Sequence, residues 1–331
     1  MQRREFLTLV LGSAATGCLA SSNWRTAVPL PLATQEIYPV LHDDLLVVAG
    51  GLSRSNAGEL VMSDKVFGFP FLATQAKPVE WIELPNLPQP SHHVMLQSLN
   101  QRLFALSGFS ANNSGQWSAS TRVLELRGNA WTSLASMPFP LCETVSAIHQ
   151  GRIHLATGRR PTALKNSQWK DHNDVAEHLI FDVANNEWSV GTAAPTARNS
   201  AAAAVVNHHW HIIGGRTVAG GNLATHEVYD FDSKKWDVRA PLPDAQGGLA
   251  AAAVNNNLYV FGGEYFTQGG GVYSAVWCYD TTTDRWEKVS EMPVPRHGLG
   301  AIAVEDEIYV IAGAAKAGAN QTSKRVSIFK P

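Results

Sequence analysis

A tryptophan and a glycine recur six times along this 331-residue chain, always 27 positions apart. The tryptophans are Trp24, Trp81, Trp131, Trp188, Trp236 and Trp286, and the glycines are Gly51, Gly108, Gly158, Gly215, Gly263 and Gly313. A proline also follows each tryptophan by seven positions. Six copies of a unit of about 50 residues indicate a repeat architecture, in which each unit buries its apolar face against its neighbours.

Each unit has the pattern of a small antiparallel sheet. Short apolar runs such as residues 103–106 and 258–261 end just before the glycine, and turn pairs such as Asn207-His208 precede them. These pairs suit tight hairpins. Alanine-rich runs further upstream favour a helix by propensity alone. The six or seven residues between the proline and the turn leave no room for a helix, so we predict strands.

A third strand is marked by an aromatic residue seven positions before the tryptophan. Phe181, Tyr229 and Tyr279 occupy this position, and we place Leu124 in the same register. With the strand that carries the tryptophan, each repeat then has four strands, which is the composition of a propeller blade.

The repeats resemble those of the Kelch family, which carry a glycine pair, a Tyr-Asp pair and a spaced tryptophan. Gly214-Gly215 and Gly262-Gly263 match the glycine pair, whereas Ser107, Thr157 and Ala312 replace its first member in three copies. The resemblance implies an all-β, six-bladed Kelch-type β-propeller as one domain over residues 21–331. Because Trp24 lacks the strands before it and the last repeat lacks a tryptophan, we expect the N-terminal strand to close the sixth blade.

Residues 1–20 resemble a twin-arginine signal peptide, with Arg3-Arg4 followed by Phe6-Leu7. The uncharged stretch 7–20 is shorter than the roughly 18–20 residues of a membrane-spanning helix. An ordinary Sec signal is the alternative. The residues before Cys18 also resemble a lipoprotein cleavage site, so Cys18 is a candidate lipid anchor. We therefore expect a periplasmic or secreted protein that contacts a membrane only through Cys18.

The composition excludes two classes of protein. The chain has 26 basic and 28 acidic residues, and its net charge of −2 lacks the basic excess of a nucleic-acid binder. Its hydrophobic fraction of 45% is too high for intrinsic disorder. The two cysteines other than Cys18, Cys142 and Cys278, are too few for a disulfide framework.

The charged residues are predicted to converge on one face of the propeller. Successive connections of an antiparallel meander alternate between faces, so the linker after each tryptophan shares a face with the loop after each glycine. Measured to the third-strand residue, the segment after Gly158 spans 23 residues, against 14–16 in the other three repeats that can be measured in this way. Variable loops on a rigid scaffold usually carry recognition. We call the centre of this face the mouth. Its predicted ligand-binding residues are Arg198, Arg296, His93, His297, Arg159, Arg216, Glu264 and Trp169.

Several roles follow from these residue types. Arginine can bind a carboxylate with two parallel hydrogen bonds, and Trp169 can stack on a sugar. Glu36 and Glu143 are the predicted catalytic acid and base, with ion pairing to neighbouring arginines as the alternative. Blade-to-blade hydrogen bonding is the alternative for Arg198 and Arg296. The histidines lack the tight spacing of a metal site, so we predict neither a metal nor a cofactor.

In size and predicted export the chain is similar to the N-acetylneuraminate epimerases, which are six-bladed Kelch enzymes. That resemblance implies a small polar or anionic ligand in the mouth, such as a sialic acid, and mutarotation by acid–base proton transfer. The alternative is a non-catalytic module that binds a protein or a glycan outside the cytoplasm. We expect a monomer in either case. Galactose oxidase shares the repeat type but requires seven blades and a copper site with a Cys–Tyr crosslink, whereas Cys142 and Tyr38 lie in different repeats.

Overall fold

The computed structural model describes residues 23–71, 79–111, 117–164 and 166–331. The predicted signal peptide, with Arg3, Arg4 and Cys18, lies outside the described residues. Strands dominate the described part, which also contains two short 3-10 helices, Trp169–Asp171 and Thr267–Gly269. None of its helices is both long and apolar enough to cross a membrane.

Six antiparallel sheets correspond to the six predicted blades; five of them have four strands, and the sheet of blade 5 has a short fifth strand. Blade 1 contains Val40–His42, Leu45–Ala49, Val66–Pro70 and Ile82–Leu84, and blade 2 contains Met95–Leu99, Arg102–Leu106, Val123–Arg127 and Ala130–Ser133. Blade 3 contains Val145–His149, Arg152–Ala156, His178–Asp182 and Glu187–Val190, and blade 4 contains Ala202–Val206, His209–Ile213, His226–Asp230 and Lys235–Val238. Blade 5 contains Gly247–Val254, Asn257–Tyr265, Ala275–Asp280 and Arg285–Glu291, and blade 6 contains Gly300–Val304, Glu307–Ile311, Val326–Phe329 and Trp24–Thr26.

Shorter strands extend the loops on one face of the blades. They are Leu52–Arg54, Leu60–Met62, Ser91–His92, Phe109–Ala111, Trp117–Ala119, Arg159–Pro161, His172–Asp174, Gly271–Val272, Ala314–Lys316 and Asn320–Thr322. All of these segments lie in the linkers after the tryptophans or the loops after the glycines. The face predicted to carry recognition is therefore the more elaborated one.

The N-terminal strand lies in the same sheet as the end of the chain. Trp24 is paired with Phe329, and the Trp24 indole N–H donates to Ser290 Oγ of blade 5 at 3.0 Å. On the other side, Glu36 N donates to Gly298 O at 2.6 Å, which joins the linkers that lead into blades 1 and 6. The first and last repeats are thus in direct hydrogen-bonded contact.

Hydrogen bonds between blades explain the regular spacing of the tryptophans. Each indole N–H donates, over 2.8–3.1 Å, to the residue four positions after the preceding tryptophan in the ring. The acceptors are Val28, Pro85, Ala135, Thr192, Ala240 and Ser290. Each bond therefore joins two neighbouring blades. The six bonds, which we call the tryptophan ladder, connect the blades all around the axis.

Backbone conformation explains why only one member of the glycine pair is present in every repeat. The second glycines have φ between 83° and 111°, a conformation that residues with a Cβ rarely adopt. The first position has φ between 55° and 66°, in the left-handed helical region. Ser107, Thr157 and Ala312 adopt that conformation at a cost of about 1–2 kcal/mol each. The degenerate copies therefore keep the same backbone path.

The register predicted for Leu124 is wrong. In blades 3 to 5 the residue opposite the tryptophan lies seven positions before it, but Trp131 of blade 2 pairs with Leu126, and Leu124 pairs with Ser133. The hairpin of blade 2 turns over only two residues, Gly128-Asn129, between paired Arg127 and Ala130. The shorter turn moves the register by two positions and leaves the side chains on the same faces of the strand.

Candidate functional site

A ring of six equivalent residues surrounds the propeller axis, one from each linker, twelve positions after each tryptophan. They are Glu36, His93, Glu143, Ser200, Gly248 and Gly298. All six have positive φ, between 50° and 69°. Five of their N–H groups donate to the carbonyl of the preceding member over 2.6–3.1 Å. The four side chains of this axial ring are consequently brought together at the axis, whereas the two glycines contribute none.

A second circle of residues lies directly beside the axial ring. The residue after each repeat glycine pairs with the linker residue that precedes each ring member, as in Cys142–Arg159, Asn199–Arg216 and Gly247–Glu264. This pairing places Arg159, Arg216 and Glu264 next to the ring side chains. The sequence-predicted residues from separate repeats therefore converge because the backbone repeats the same bridge in every blade.

Glu143 is buried among cations. Its side chain is 1% exposed. Arg159 Nε donates to Glu143 Oε1 at 2.8 Å, and Arg216 Nη2 lies 3.6 Å from Glu143 Oε2. Ser200 Oγ also donates to this carboxylate. Burial alone raises the pKa of Glu143, but Arg159, His93 and Arg216 outweigh burial and hold it well below the usual value. Glu143 is therefore a permanently charged partner of two arginines.

Glu36 occupies the equivalent position and has different partners. His93 Nε2 lies 2.8 Å from Glu36 Oε2, and Gln35 Nε2 donates to Glu36 Oε1 at 3.0 Å. Within the described residues, the only basic side chains at ion-pair distance from Glu36 are the imidazoles of His93 and, at 4.0 Å, His297. Burial raises the pKa of Glu36, but the charge and the hydrogen bond of His93 outweigh burial, and the pKa is lowered to about 2. Glu36 is thus an ionised carboxylate without an arginine partner.

Glu264 lies between Arg216 and His297. Arg216 Nη1 donates to Glu264 Oε1 at 2.6 Å, and Gly318 N donates to Glu264 Oε2 at 2.7 Å. His297 Nδ1 lies 3.4 Å from the same Oε2 and 4.0 Å from Glu36 Oε1. These contacts join the carboxylates of blades 1 and 5 through one buried imidazole.

A cavity of about 800 Å³ opens above this part of the ring. Its polar floor is made by Gln35, Glu36, Arg216, Glu264 and His297. The walls are largely apolar or aromatic and include Leu52, Leu60, Trp117, Trp169, Tyr265, Phe266 and Tyr273. A separate space of about 150 Å³ lies along the axis between the inner strands and is lined by Tyr38 and small side chains. Glu36 is the ring residue that faces the larger cavity.

The long loop after Gly158 positions Trp169 over the arginines. The Trp169 ring lies 4.2 Å from the Arg159 guanidinium carbon and 4.9 Å from that of Arg216, in cation–π contacts. Its indole N–H donates to Val218 O at 3.0 Å. Trp169 thus covers Arg159 and forms a wall of the cavity, and Arg159 is not part of the cavity lining.

The predicted site residues therefore fall into three groups. Glu36, Arg216, Glu264, His297 and Trp169 line the cavity, whereas Glu143, Arg159 and His93 are buried behind its floor. Arg198 and Arg296 lie inside the blades, fully buried. Arg198 pairs with Glu227 at 2.8 Å, and Arg296 Nη2 donates to Val310 O at 3.2 Å. Both contacts hold an inter-blade linker to the blade that it leads into. They are structural, but they are not the blade-to-blade hydrogen bonds given as the alternative.

The thiol and the histidines of the mouth are not arranged as a copper site. Cys142 is buried, its Sγ donates to Gly108 O at 3.1 Å, and burial raises its pKa to about 12. Across the residues that the structure describes, no group of three or more His, Cys, Asp or Glu side chains is suitably arranged to hold a metal ion.

Several lining residues were not predicted from the sequence. Gln35 adjoins a predicted residue, and its linker position was a sufficient signal. Tyr265, Phe266 and Tyr273 come from the loop of blade 5, and Trp117 comes from that of blade 2. These loops have no repeat register, so no equivalent position pointed to them.

Comparisons with known proteins agree with this fold. The KLHDC2/KLHL20/DRC7 Kelch-repeats domain family matches residues 170–331. β-Scruin of Limulus polyphemus is 30% identical over 146 residues, which cover 44% of this chain and 15% of scruin. The Kelch-like protein terF of Aspergillus terreus is 25% identical over 226 residues, covering 63% of this chain and 48% of terF. The chain thus spans half or less of the length of these relatives.

The solved structure of YjhT has the same fold, with a TM-score of 0.74 and 17% identity over 91% of this chain and 95% of YjhT. The six repeats, the family match in the second half and the shared architecture lead to one conclusion. The chain is a Kelch-repeat β-propeller protein.

Proposed function

We propose that this propeller binds a small carbohydrate in the 800 Å³ cavity and acts on it as a mutarotase. The observation that carries the proposal is the placement of Glu36, an ionised carboxylate without an arginine partner, on the floor of an aromatic-walled cavity. Ligand sites of this kind are concave and largely apolar, with a few convergent polar groups that orient the ligand.

The two parts of the cavity suit the two surfaces of a sugar. Aromatic rings stack on the C–H face of a pyranose, and Trp169 and Tyr273 offer such rings in the cavity walls. Carboxylate and amide oxygens accept hydrogen bonds from hydroxyl groups, and Glu36, Gln35 and Glu264 supply them at the floor.

Charge favours a neutral or cationic sugar over an anionic one. A sugar carboxylate needs a free guanidinium, but Arg216 already contacts Glu264 and Glu143, and Arg159 contacts Glu143. An anionic ligand such as a sialic acid must displace one of these carboxylates. We therefore place neutral and cationic sugars before anionic ones and keep the sialic acid in the experiment.

Glu36 is the proposed general base. The Glu36 carboxylate is ionised at neutral pH, and as a weak base it can accept the proton of an anomeric hydroxyl that is held against it. The bond from C1 to the ring oxygen then breaks to give the open-chain aldehyde, and solvent water protonates the ring oxygen. Reclosure on either face of the carbonyl exchanges the anomers without net consumption of any reactant.

The test is the rate of anomer exchange, measured by NMR on glucose, N-acetylglucosamine and N-acetylneuraminate. We expect a rate increase of about 10²–10⁴-fold for at least one sugar, lost in Glu36→Gln. The matched control is Glu83→Gln, which removes an exposed carboxylate paired with Lys65 on an outer strand. Equal rates for Glu36→Gln and the unchanged protein would refute the catalytic proposal.

A protein partner is the second candidate. Large apolar side chains are exposed around the mouth, including Leu60 at 37%, Val61 at 39% and Phe266 at 63%. Exposed apolar groups around a polar centre are a common feature of interaction surfaces. If no sugar in the panel raises the melting temperature, the interaction module becomes the favoured function.

We further propose export through the twin-arginine route, on the basis of Arg3, Arg4, Phe6 and Leu7 alone. The test is cell fractionation of the full chain and of the double variant Arg3→Lys, Arg4→Lys. We expect the double variant to remain in the cytoplasm. In a second experiment on the lipid anchor, we expect radiolabelled palmitate to mark the unchanged protein but not the Cys18→Ser variant. Export of the double variant would favour the Sec route instead.

A further inference from the structure

We infer that the floor of the cavity binds a primary ammonium group held by Glu36, Glu264 and His297, so that the preferred ligand is an amino sugar. The inference rests on the proposed function, because it names the ligand class of the same cavity. It depends on the hydrogen-bonding state of one buried histidine and on the charges around it.

His297 has one committed nitrogen and one unpartnered nitrogen. Its Nε2 lies 3.0 Å from Lys316 O and 2.8 Å from Gly318 O, and two carbonyl oxygens require a hydrogen on that nitrogen. In the neutral ring, Nδ1 is then a hydrogen-bond acceptor. The residue is 1% exposed, and Nδ1 has no hydrogen-bond partner among the described residues. This buried acceptor is directed towards the carboxylates of the cavity floor.

Three acceptors therefore converge at the floor. His297 Nδ1 lies 3.4 Å from Glu264 Oε2 and 4.0 Å from Glu36 Oε1. Acceptors this close repel one another unless a donor or a cation lies between them. An alkylammonium group carries three N–H donors and one positive charge, which matches three acceptors and two carboxylates. If the His297 ring were an imidazolium, its Nδ1–H would donate to Glu264 alone. Glu36 would still face the cavity without that donor.

Two glycines of the axial ring give the floor its shape. A Cβ on Gly248 would lie 3.8 Å from both Glu264 Oε1 and His297 Nδ1, and a Cβ on Gly298 would lie 2.7 Å from Glu36 Oε1. Side chains fill the other four ring positions. A side chain at either position would contact these acceptors from beside the cavity floor.

The charges that line the cavity also favour a cationic ligand. Two carboxylates, Glu36 and Glu264, and one arginine, Arg216, line the cavity. Arg216 also pairs with Glu143 behind the floor, so its charge is shared between two carboxylates. Glu36 is paired with His93 behind the floor. A cationic ligand is still attracted by the two lining carboxylates, whereas an anionic ligand is repelled by them.

The experiment is isothermal titration calorimetry at pH 6 with EDTA present, using glucosamine, N-acetylglucosamine and N-acetylneuraminate. Glucosamine and N-acetylglucosamine differ in whether the nitrogen carries a charge. Benzylamine and benzyl alcohol form a second matched pair that contains no sugar. We expect each amine to bind at least about tenfold more tightly than its neutral partner. In Glu36→Gln the preference should disappear, whereas Glu83→Gln should retain it.

The outcomes separate this inference from the proposed function. Equal affinities within both pairs, or tighter binding of N-acetylneuraminate, would overturn the ammonium site while sugar binding stands. Binding of benzylamine without any sugar would overturn the carbohydrate proposal while the ammonium site stands. In a separate titration without EDTA, stabilisation by zinc chloride that abolishes amine binding would identify a metal site and overturn the inference. Circular dichroism of Glu36→Gln checks that the variant is folded.

Discussion

Glu143 and Glu36 occupy the same position of the axial ring, yet their surroundings differ in kind. Glu143 contacts two arginines and Ser200, and Trp169 covers the arginines from the cavity side. Glu36 contacts a histidine and a glutamine and faces the cavity. The half of the ring around Glu143 and Ser200 is therefore filled by side chains whose charges are paired, and we call it the filled half. The half around Glu36, Gly248 and Gly298 faces the cavity, and we call it the open half.

The difference shows how a repeat protein can build two side-chain environments on one repeated backbone. The backbone of the ring is the same in all six linkers, with positive φ and a hydrogen bond to the preceding member. Only side chains distinguish the two halves, because Gly248 and Gly298 stand where Ser200 and His93 stand elsewhere. Such substitutions do not alter the path of the chain.

The largest expected effect is on the filled half of the ring. Glu143→Gln leaves Arg159 without a carboxylate and removes one of the two that Arg216 contacts. Breaking a buried ion pair on one side costs about 3–5 kcal/mol. We expect a loss of that size in the free energy of unfolding, measured by urea denaturation. A loss below 1 kcal/mol would show that the pairing is not structural.

The second-largest expected effect is that low pH destabilises blades 3 and 4, which lie beside the filled half. His154 bonds His178 at 2.8 Å in blade 3, and His211 bonds His226 at 2.9 Å in blade 4. Burial lowers the pKa values of His154 and His211 to about 3, and those of His178 and His226 to about 4. The unfolded chain binds protons below pH of about 6.5, whereas the folded chain does not. Stability is thus fully present above pH 6.5 and falls by several kcal/mol towards pH 4.

A variant localises this pH dependence. Tyrosine occupies the position of His211 in blades 5 and 6, as Tyr259 and Tyr309. His211→Tyr should reduce proton uptake on unfolding at pH 5 by about one proton, which corresponds to about 1.4 kcal/mol per pH unit. The measurement is the slope of unfolding free energy against pH. An unchanged slope would assign the acid sensitivity to other groups.

The glycines of the open half should show a smaller effect that depends on position. Alanine at Gly248 or Gly298 costs about 1–2 kcal/mol because φ is +69° or +57°. At Gly298 the new Cβ also meets Glu36 Oε1 at 2.7 Å, whereas at Gly248 its nearest contacts are at 3.8 Å. We expect Gly298→Ala to be the less stable variant by urea denaturation. Equal losses would mean that Glu36 moves freely.

The sequence was sufficient to predict the blades because their signals are local and periodic. The tryptophan and glycine ladders reflect one hydrogen bond and one backbone conformation, repeated six times. Leu124 was misplaced because the register depends on a turn length that varies in one blade only. Local patterns do not reveal such an exception.

The site was only partly predictable for a different physical reason. Equivalent positions identified the mouth and its charged residues, since each linker follows the same path. The distinction between Glu36 and Glu143 depends on partners in other blades, such as Arg216, which is 73 positions after Glu143. Tyr265, Phe266 and Trp117 come from loops without a repeat register, so their place in the cavity wall depends on tertiary structure.

Calorimetric titration of glucosamine into Glu36→Gln and Glu143→Gln tests the central claim most directly. The temperature is chosen so that circular dichroism shows both variants to be folded. We predict that Glu36→Gln loses at least about tenfold in affinity, whereas Glu143→Gln retains the affinity of the unchanged protein within about threefold. Loss of binding in Glu143→Gln with full binding in Glu36→Gln would contradict the assignment of the two carboxylates.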